Sequence, residues 1–138
     1  MAIRNTFKVY ERLKKEQHIN TLFLKGKAYS VFPLRVIWLS TPRLQTTDSP
    51  VLAGFSIPKK KFGSSVHRHR IRRLIVEAWR LNKATLYPHV PADVQVHLFF
   101  IYTDKQMPEF VQIEQVVKEA INKLTQIISV PGAGTATQ

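Results

Sequence analysis

Hydrophobic residues recur along this chain with two spacings, one typical of helices and one typical of strands. Apolar side chains three and four positions apart predict helices over residues 6–25, 65–82 and 108–128. Stretches rich in β-branched and aromatic residues predict strands over residues 27–32, 34–40, 51–57 and 94–102, although Pro33 leaves open whether the first two are one interrupted strand. This order predicts an α+β sandwich in which helices pack on a sheet of about four strands.

The helix predicted over residues 65–82 has one apolar face and one basic face. With residues placed 100° apart, the apolar face holds Ile71, Leu74, Ile75 and Ala78. The opposite face holds His69, Arg72, Arg73, Arg80 and Lys83. Gly63 and the pair Ser64-Ser65 stand at the start of the helix and supply turn and N-cap chemistry. We therefore expect one face to pack on the sheet while the other carries charge.

The charge of the chain is concentrated around that helix. The chain has 21 Lys and Arg against nine acids, and residues 1–83 hold 18 of the basic residues and four of the acids, a net charge of +14. Residues 55–83 alone hold nine basic residues and one acid, Glu77. A solvated helix normally mixes signs for pairing between turns, so a nearly all-positive helix predicts a polyanionic partner.

Two polyanions could meet such a charge, a membrane surface or a nucleic acid. Helices that lie on membranes expose Leu, Phe and Trp on one face. Here each apolar stripe has a core to join, which favours a nucleic acid whose phosphates the arginines bind. Phe23, Trp38 and Phe55 lie near the basic stretch, and each is either a core residue or a stacking platform for an unpaired base.

Composition and spacing exclude several classes of site. The chain has no Cys, which excludes disulfides, thiolate zinc sites and cysteine nucleophiles. The nine acids are scattered along the sequence. His67 and His69 would point about 160° apart on a helix, so they do not form a metal site. We expect no catalytic residue and no metal ligand in this protein.

Length and hydropathy predict one soluble domain. With 44% hydrophobic residues, 138 residues suit a single core, which we expect over residues 1–128. The tail at residues 129–138 cannot bury much apolar area, which predicts disorder. Residues 1–15 lack the apolar region of a signal peptide, and the longest apolar run, residues 98–102, is too short to span a bilayer. The expected location is the cytoplasm, with no membrane partner.

Two segments carry recognisable arrangements of residues. SIPKKKFGSSVHRHRIRRLIVEAWR at residues 56–80 contains a lysine pair, a turn and an arginine-rich helix. ERLKKEQHINTLFLKGKAY at residues 11–29 contains Arg-Leu-Lys-Lys, an aromatic and a Gly. In order and separation they resemble the protein component of bacterial ribonuclease P. His69 stands where that family usually has Asn, and Ile19 where it usually has Phe, which leaves Phe23 as the matched aromatic.

The resemblance implies a fold and a function. The fold is an αβββαβα two-layer sandwich, like the second domain of ribosomal protein S5, with a left-handed βαβ crossover that exposes the arginine-rich helix. The function is that of the ribonuclease P protein subunit, which promotes endonucleolytic removal of the 5′ leader from precursor tRNA. The implied partners are the catalytic RNA and precursor tRNA, with no obligate protein partner. Mg²⁺ is expected in the RNA-containing holoenzyme, and no cofactor on the protein alone.

The resemblance also implies which residues bind RNA. The expected contacts to the catalytic RNA are Lys59, Lys60, Lys61, Ser64, Arg68, His69, Arg70, Arg72, Arg73 and Arg80. The expected lining of a leader cleft, between the sheet and a helix, is Phe23, Val36, Trp38, Phe55, Arg12 and Lys14. Two rival classes stay open: a plain RNA-binding module such as a ribosomal protein, and a self-sufficient metal-dependent nuclease.

Overall fold

The order of elements in the computed structural model, which describes residues 7–129, is the predicted αβββαβα. After a 3₁₀ turn at Val9–Glu11, the elements are α1 (Glu16–Lys25), β1 (Lys27–Val31), β2 (Leu34–Pro42), β3 (Val51–Ser56), α2 (Ser65–Asn82), β4 (Val94–Tyr102) and α3 (Phe110–Ser129). Short 3₁₀ turns at Lys83–Thr85 and Tyr87–His89 connect α2 to β4. Ser129 is the last residue of α3, and the rest of the predicted disordered tail lies outside the described residues.

The four strands form one mixed sheet in the order β1-β2-β4-β3. β1 and β2 are the two separate strands of a hairpin that turns at Phe32 and Pro33, which are joined by a cis peptide bond. β2 and β4 pair antiparallel along their full length, and β3 lies parallel to β4 at the sheet edge. Parallel neighbours need a crossover connection, and α2 supplies it.

Both faces of this sheet are apolar. Successive residues of a strand point to opposite sides, and the central strands, β2 and β4, contain runs of successive apolar residues. The larger core lies beneath α2 and α3 and contains the strand residues Val36, Trp38, Phe55, Leu98 and Phe100. The smaller core lies beneath α1 and contains Leu13, Leu22, Ile37 and Phe99. Since α1 has only ten residues, it covers its face of the sheet incompletely.

Helix α1 begins at Glu16, so the prediction that it starts at residue 6 is wrong. The preceding residues run beside β3 instead: the Leu13 N–H donates to the Ala53 carbonyl at 3.0 Å, and Arg12 forms an isolated parallel bridge with Ala53. Lys14 and Lys15 also disfavour an earlier start, because positive charge in a first helical turn opposes the helix dipole. Tyr10, predicted for the apolar face, is 68% exposed as a result.

Helix α2 has the predicted bounds because its cap and its apolar face agree. The Ser64 Oγ accepts a hydrogen bond from the His67 N–H at 3.4 Å, which satisfies one of the donors that a helix start leaves unpaired. The buried face consists of Ile71, Ile75, Ala78 and Trp79. The opposite face of α2 is thereby turned to solvent.

Gly54 in β3 permits a close approach of the Phe99 ring. A Cβ at this position would lie 2.5 Å from the Phe99 Cε1, so the ring would have to move. We expect Gly54→Ala to lower the free energy of unfolding by about 1–3 kcal/mol, as overpacking does, measured by urea denaturation. Gly63→Ala is the matched control, since a Cβ there meets nothing within 4 Å. Equal losses in both variants would contradict this account.

Candidate nucleic-acid interface

Seven exposed basic residues on α2 and the turn before it form what we call the α2 surface. They are Lys59, Lys60, Lys61, His69, Arg70, Arg72 and Arg73. Glu77, the acid of α2, forms an ion pair with Arg80, and Glu11 forms one with Lys83, so neither acid pairs with a residue of this surface. The α2 surface is therefore largely uncompensated within the described part of the chain, which favours an external anion.

Arg68 and Ser64, both predicted RNA contacts, also hold the turn that begins α2. The Arg68 Nη1 donates to the carbonyls of Phe62, at 2.8 Å, and Gly63, at 2.9 Å. Ser64 accepts from the helix backbone as the N-cap. Both residues thus position the lysines that precede the helix; the sequence predicted this capping role for Ser64 but no such role for Arg68.

Two other cations, Arg80 and Lys83, form ion pairs with acids of the protein. Arg80 donates from Nε and Nη2 to the two carboxylate oxygens of Glu77, at 2.9 and 2.7 Å, and that hydrogen bonding lowers the pKa of Glu77. Lys83, predicted on the charged face, is 1% exposed, so that prediction is wrong. The helix ends at Asn82, and the 100° spacing cannot be extended beyond its last residue.

Lys83 belongs to a buried group with Glu11 and Tyr87, which we call the Glu11 cluster. The Lys83 Nζ and the Tyr87 hydroxyl both donate to Glu11 Oε1, the latter at 2.7 Å, and the Lys8 N–H donates to Oε2 at 2.8 Å. Burial alone would raise the pKa of Glu11, but these hydrogen bonds and the charge of Lys83 lower it below its ordinary value. Burial and the neighbouring Glu11 raise the pKa of Tyr87.

The Glu11 cluster adjoins a depression of about 260 Å³ between the N-terminal segment and α2, which we call the niche. It is lined by Phe7, Arg12, His69, Arg72, Arg73, Val76 and Glu77. The Arg12 guanidinium lies over the Phe7 ring, 4.9 Å from its centroid, and Nη2 donates to the Phe7 carbonyl at 3.4 Å. Three guanidinium groups therefore line one small concavity, which favours binding of phosphate oxygens.

A larger cleft of about 590 Å³ opens where α1 leaves the sheet uncovered. Two predicted cleft residues, Arg12 and Lys14, line it. Phe23, also predicted for the cleft, is not among the residues that line it: it lies on α1, 50% exposed, with its ring edge-on to Phe99 at 5.2 Å between centroids. Arg12 lines both the cleft and the niche, so the two concavities adjoin.

The other three predicted cleft residues lie on the wrong face of the sheet for this role. Val36, Trp38 and Phe55 are 0%, 4% and 8% exposed, and all belong to the core beneath α2 and α3. Their neighbours in β2, Ile37 and Leu39, point to the α1 side instead. A shift of one residue exchanges the faces of a strand, and a strand that is apolar on both faces gives no sequence signal for which is which.

The cleft also contains residues that the sequence did not single out. Lys15 adds a cation to its wall, and His18 and His97 face each other with ring centroids 4.8 Å apart. Nε2 of His97 lies 3.1 Å from Gln95 Oε1. Burial, and then the neighbouring His18, lower the pKa of His97 to about 4. The alternation of β4 places His97 on the same face as Phe99, but only the position of α1 shows that this face is the cleft.

Two classes of feature are not found in residues 7–129. No described helix combines the length and the apolar character needed to cross a membrane. Within the same residues, His, Asp and Glu side chains form no group of three or more that could hold a metal ion. A basic surface beside an open cleft, on this α+β fold, is typical of a nucleic-acid-binding protein.

Comparisons with known proteins identify the family. The Ribonuclease P family model matches residues 7–125. The ribonuclease P protein component of Porphyromonas gingivalis is 34% identical over 116 residues, covering 83% of this chain and 82% of the relative. That of Chlorobium phaeobacteroides is 28% identical over 129 residues, covering 87% and 88%. The chain belongs to the ribonuclease P protein family, and with it to a tRNA-processing ribonucleoprotein.

Solved structures of this family share the fold. The RNase P protein of Staphylococcus aureus matches with a TM-score of 0.64 at 20% identity, over 88% of this chain and 99% of that one. The RNase P protein from Thermotoga maritima matches with a TM-score of 0.62 at 17% identity, over 82% and 96%. The predicted fold class is thereby confirmed.

The lowered pKa of His97 predicts a pH-dependent stability. An unfolded His titrates near 6.5 and the folded one near 4, so the unfolded state binds more protons between these values and stability falls as the pH falls through them. We expect His97 to contribute a loss of about 2 kcal/mol between pH 7 and pH 5. His97→Gln should remove this part of the loss in urea denaturation at both pH values. The same pH dependence in both proteins would refute the assignment.

Proposed function

We propose that this chain, as the protein subunit of ribonuclease P, binds the catalytic RNA through the α2 surface and the 5′ leader of precursor tRNA in the cleft. The observation that carries the proposal is the uncompensated charge of the α2 surface next to an open cleft. The RNA subunit performs the hydrolysis, and the protein promotes it by binding and orienting both RNAs. The site of action is the cytoplasm.

The α2 surface suits a structured RNA backbone. Arg70, Arg72 and Arg73 are exposed on one helix and offer paired N–H groups to phosphate oxygens. Lys59, Lys60 and Lys61 extend the charge into the turn before α2. His69 is exposed among them and can donate, accept or stack, although it lacks the amide of the Asn common in the family.

The cleft suits an unpaired strand. Cations on its wall, Arg12, Lys14 and Lys15, are available to backbone phosphates. Tyr10, which lines the cleft, is 68% exposed and offers an aromatic ring on which a base can stack. A cleft with positive charge and an exposed aromatic ring on its wall suits single strands with little sequence preference, because every base has a π-face.

In our proposal, RNA and not the protein binds the Mg²⁺ of the holoenzyme. The charged side chains of the α2 surface and the cleft are cations apart from Asp48, which lines the cleft, whereas Mg²⁺ prefers carboxylate and phosphate oxygens. Bound Mg²⁺ would supply Lewis-acid chemistry and an activated water in the holoenzyme. The protein's side chains bind and orient the RNAs and reduce phosphate repulsion between them.

Cleavage of precursor tRNA at low Mg²⁺ tests this function. We expect the catalytic RNA to remove the leader faster with the chain than without it, because protein cations replace part of the ionic screening. A chain that binds the RNA without accelerating cleavage would be a plain RNA-binding module. Cleavage by the chain without the RNA subunit would indicate a nuclease, and either result would overturn the proposal.

The α2 surface predicts a change in the salt dependence of RNA binding. Replacing Arg70, Arg72 and Arg73 by Ala should flatten the plot of log affinity against log salt, by about 0.9 per lost duplex phosphate contact and about 0.7 on a single strand. The matched control replaces Lys105, Lys118 and Lys123, which removes the same charge outside this surface. If both triple variants change the slope equally, the phosphates do not contact α2.

A further inference from the structure

The Glu11 cluster is an unusual place to bury charge. Glu11 is 5% and Lys83 1% exposed, and the two residues are separated by 72 positions in the sequence. Glu11 belongs to a short 3₁₀ turn, whereas Lys83 directly follows the last residue of α2. The ion pair therefore joins a segment with little regular structure to the helix that carries the α2 surface.

Stability alone is a weak reason for such a pair. Taking two charges out of water costs about as much as their attraction returns, and apolar side chains of similar volume often stabilise a core as well. A buried pair selects one geometry, because its two partners must meet with their remaining hydrogen bonds satisfied. Here Tyr87 and the backbone of Lys8 satisfy the carboxylate, so one position of the N-terminal segment is selected.

The residue whose place this fixes is Arg12. It directly follows Glu11, and its guanidinium lies over Phe7, whose ring packs edge-on against Phe55 at 5.8 Å. The Lys83 Nζ lies 6.0 Å from the centroid of the same Phe7 ring. Glu11, Phe7 and Arg12 thus form a continuous set of contacts from the end of α2 to the niche.

Arg12 lies beside two arginines of α2 although all three side chains carry positive charge. The niche brings it together with Arg72 and Arg73, which are like charges. Glu77 is the acid that lines the niche, and both of its carboxylate oxygens accept hydrogen bonds from Arg80. A site of like charges that its own acid does not neutralise is complementary to an anion.

We propose that Glu11, Lys83 and Tyr87 are positioning residues that hold Arg12 against α2, so that Arg12, Arg72 and Arg73 bind one RNA phosphate group in the niche. The N-terminal segment and α2 then act as a single RNA-binding unit. This inference rests on the proposed function, and names the side chains that prepare its site.

A double-mutant cycle tests the positioning role. The clamp variant combines Glu11→Gln with Lys83→Met, which removes both charges together and leaves an acceptor for Tyr87. Its partner in the cycle is Arg12→Gln, made in the wild-type chain and in the clamp variant. Affinity is measured for the catalytic RNA alone, so that a leader in the cleft makes no contribution.

We expect Arg12→Gln to weaken binding about tenfold in the wild-type chain, as loss of a charged hydrogen bond does. In the clamp variant the same change should cost about twofold or less, because Arg12 is no longer held in the niche. An equal cost in both backgrounds would show that the Glu11 cluster only stabilises the fold. No cost in the wild-type chain would show that Arg12 binds no phosphate.

Two controls separate folding from positioning. Glu119→Gln with Lys118→Met makes the same two substitutions on the exposed face of α3 and should leave the effect of Arg12→Gln unchanged. Tyr87→Phe removes one hydrogen bond of the cluster and keeps the ring. In the Tyr87→Phe background we expect Arg12→Gln to weaken RNA binding by an amount between its effects in the wild-type chain and in the clamp variant. Wild-type protein that fails to bind the catalytic RNA would overturn the proposed function and this inference together.

Discussion

The rest of the structure depends on one constraint: the two central strands are apolar on both faces. β2 and β4 alternate their side chains between the core beneath α2 and α3 and the smaller core beneath α1. A sheet of this kind needs cover on both sides, since its apolar residues cannot be left in water. Two long helices cover one side completely, whereas α1 covers the other in part. The uncovered remainder is the cleft, so the concavity follows from the unequal lengths of the helical layers.

The same arrangement explains what the sequence could predict. α2 and β4 have their predicted bounds because cap, periodicity and apolar faces all agree within each segment. Val36 and Trp38 were assigned to the wrong face, because residues 36–39 are apolar at successive positions. Neither local propensity nor periodicity can say which face of such a strand an incomplete layer will cover. That depends on α1, whose start is itself set by the pairing of Arg12 and Leu13 with Ala53.

The ion pair between Glu11 and Lys83 was the other feature that the sequence did not predict. Lys83 was predicted as a surface cation because its partner, Glu11, lies 72 positions away in the sequence. Glu77 and Arg80, three residues apart on α2, are a local pair of a common kind. Because Glu11 and Glu77 are paired in this way, neither acid compensates the cations of the α2 surface. Relatives at 17% and 20% identity share the fold, which shows how few identities it requires.

The positions of the two tryptophans give the two faces of the sheet different optical properties. Trp38 and Trp79 are the only tryptophans in the sequence, and both lie in the core beneath α2 and α3. Trp79 packs 5.7 Å from Phe100 and 6.3 Å from Tyr87. Neither indole lines the cleft or the niche. Tryptophan fluorescence therefore reports on the packing of the helical layer and not directly on a strand lying in the cleft, so this signal separates loss of structure from loss of binding.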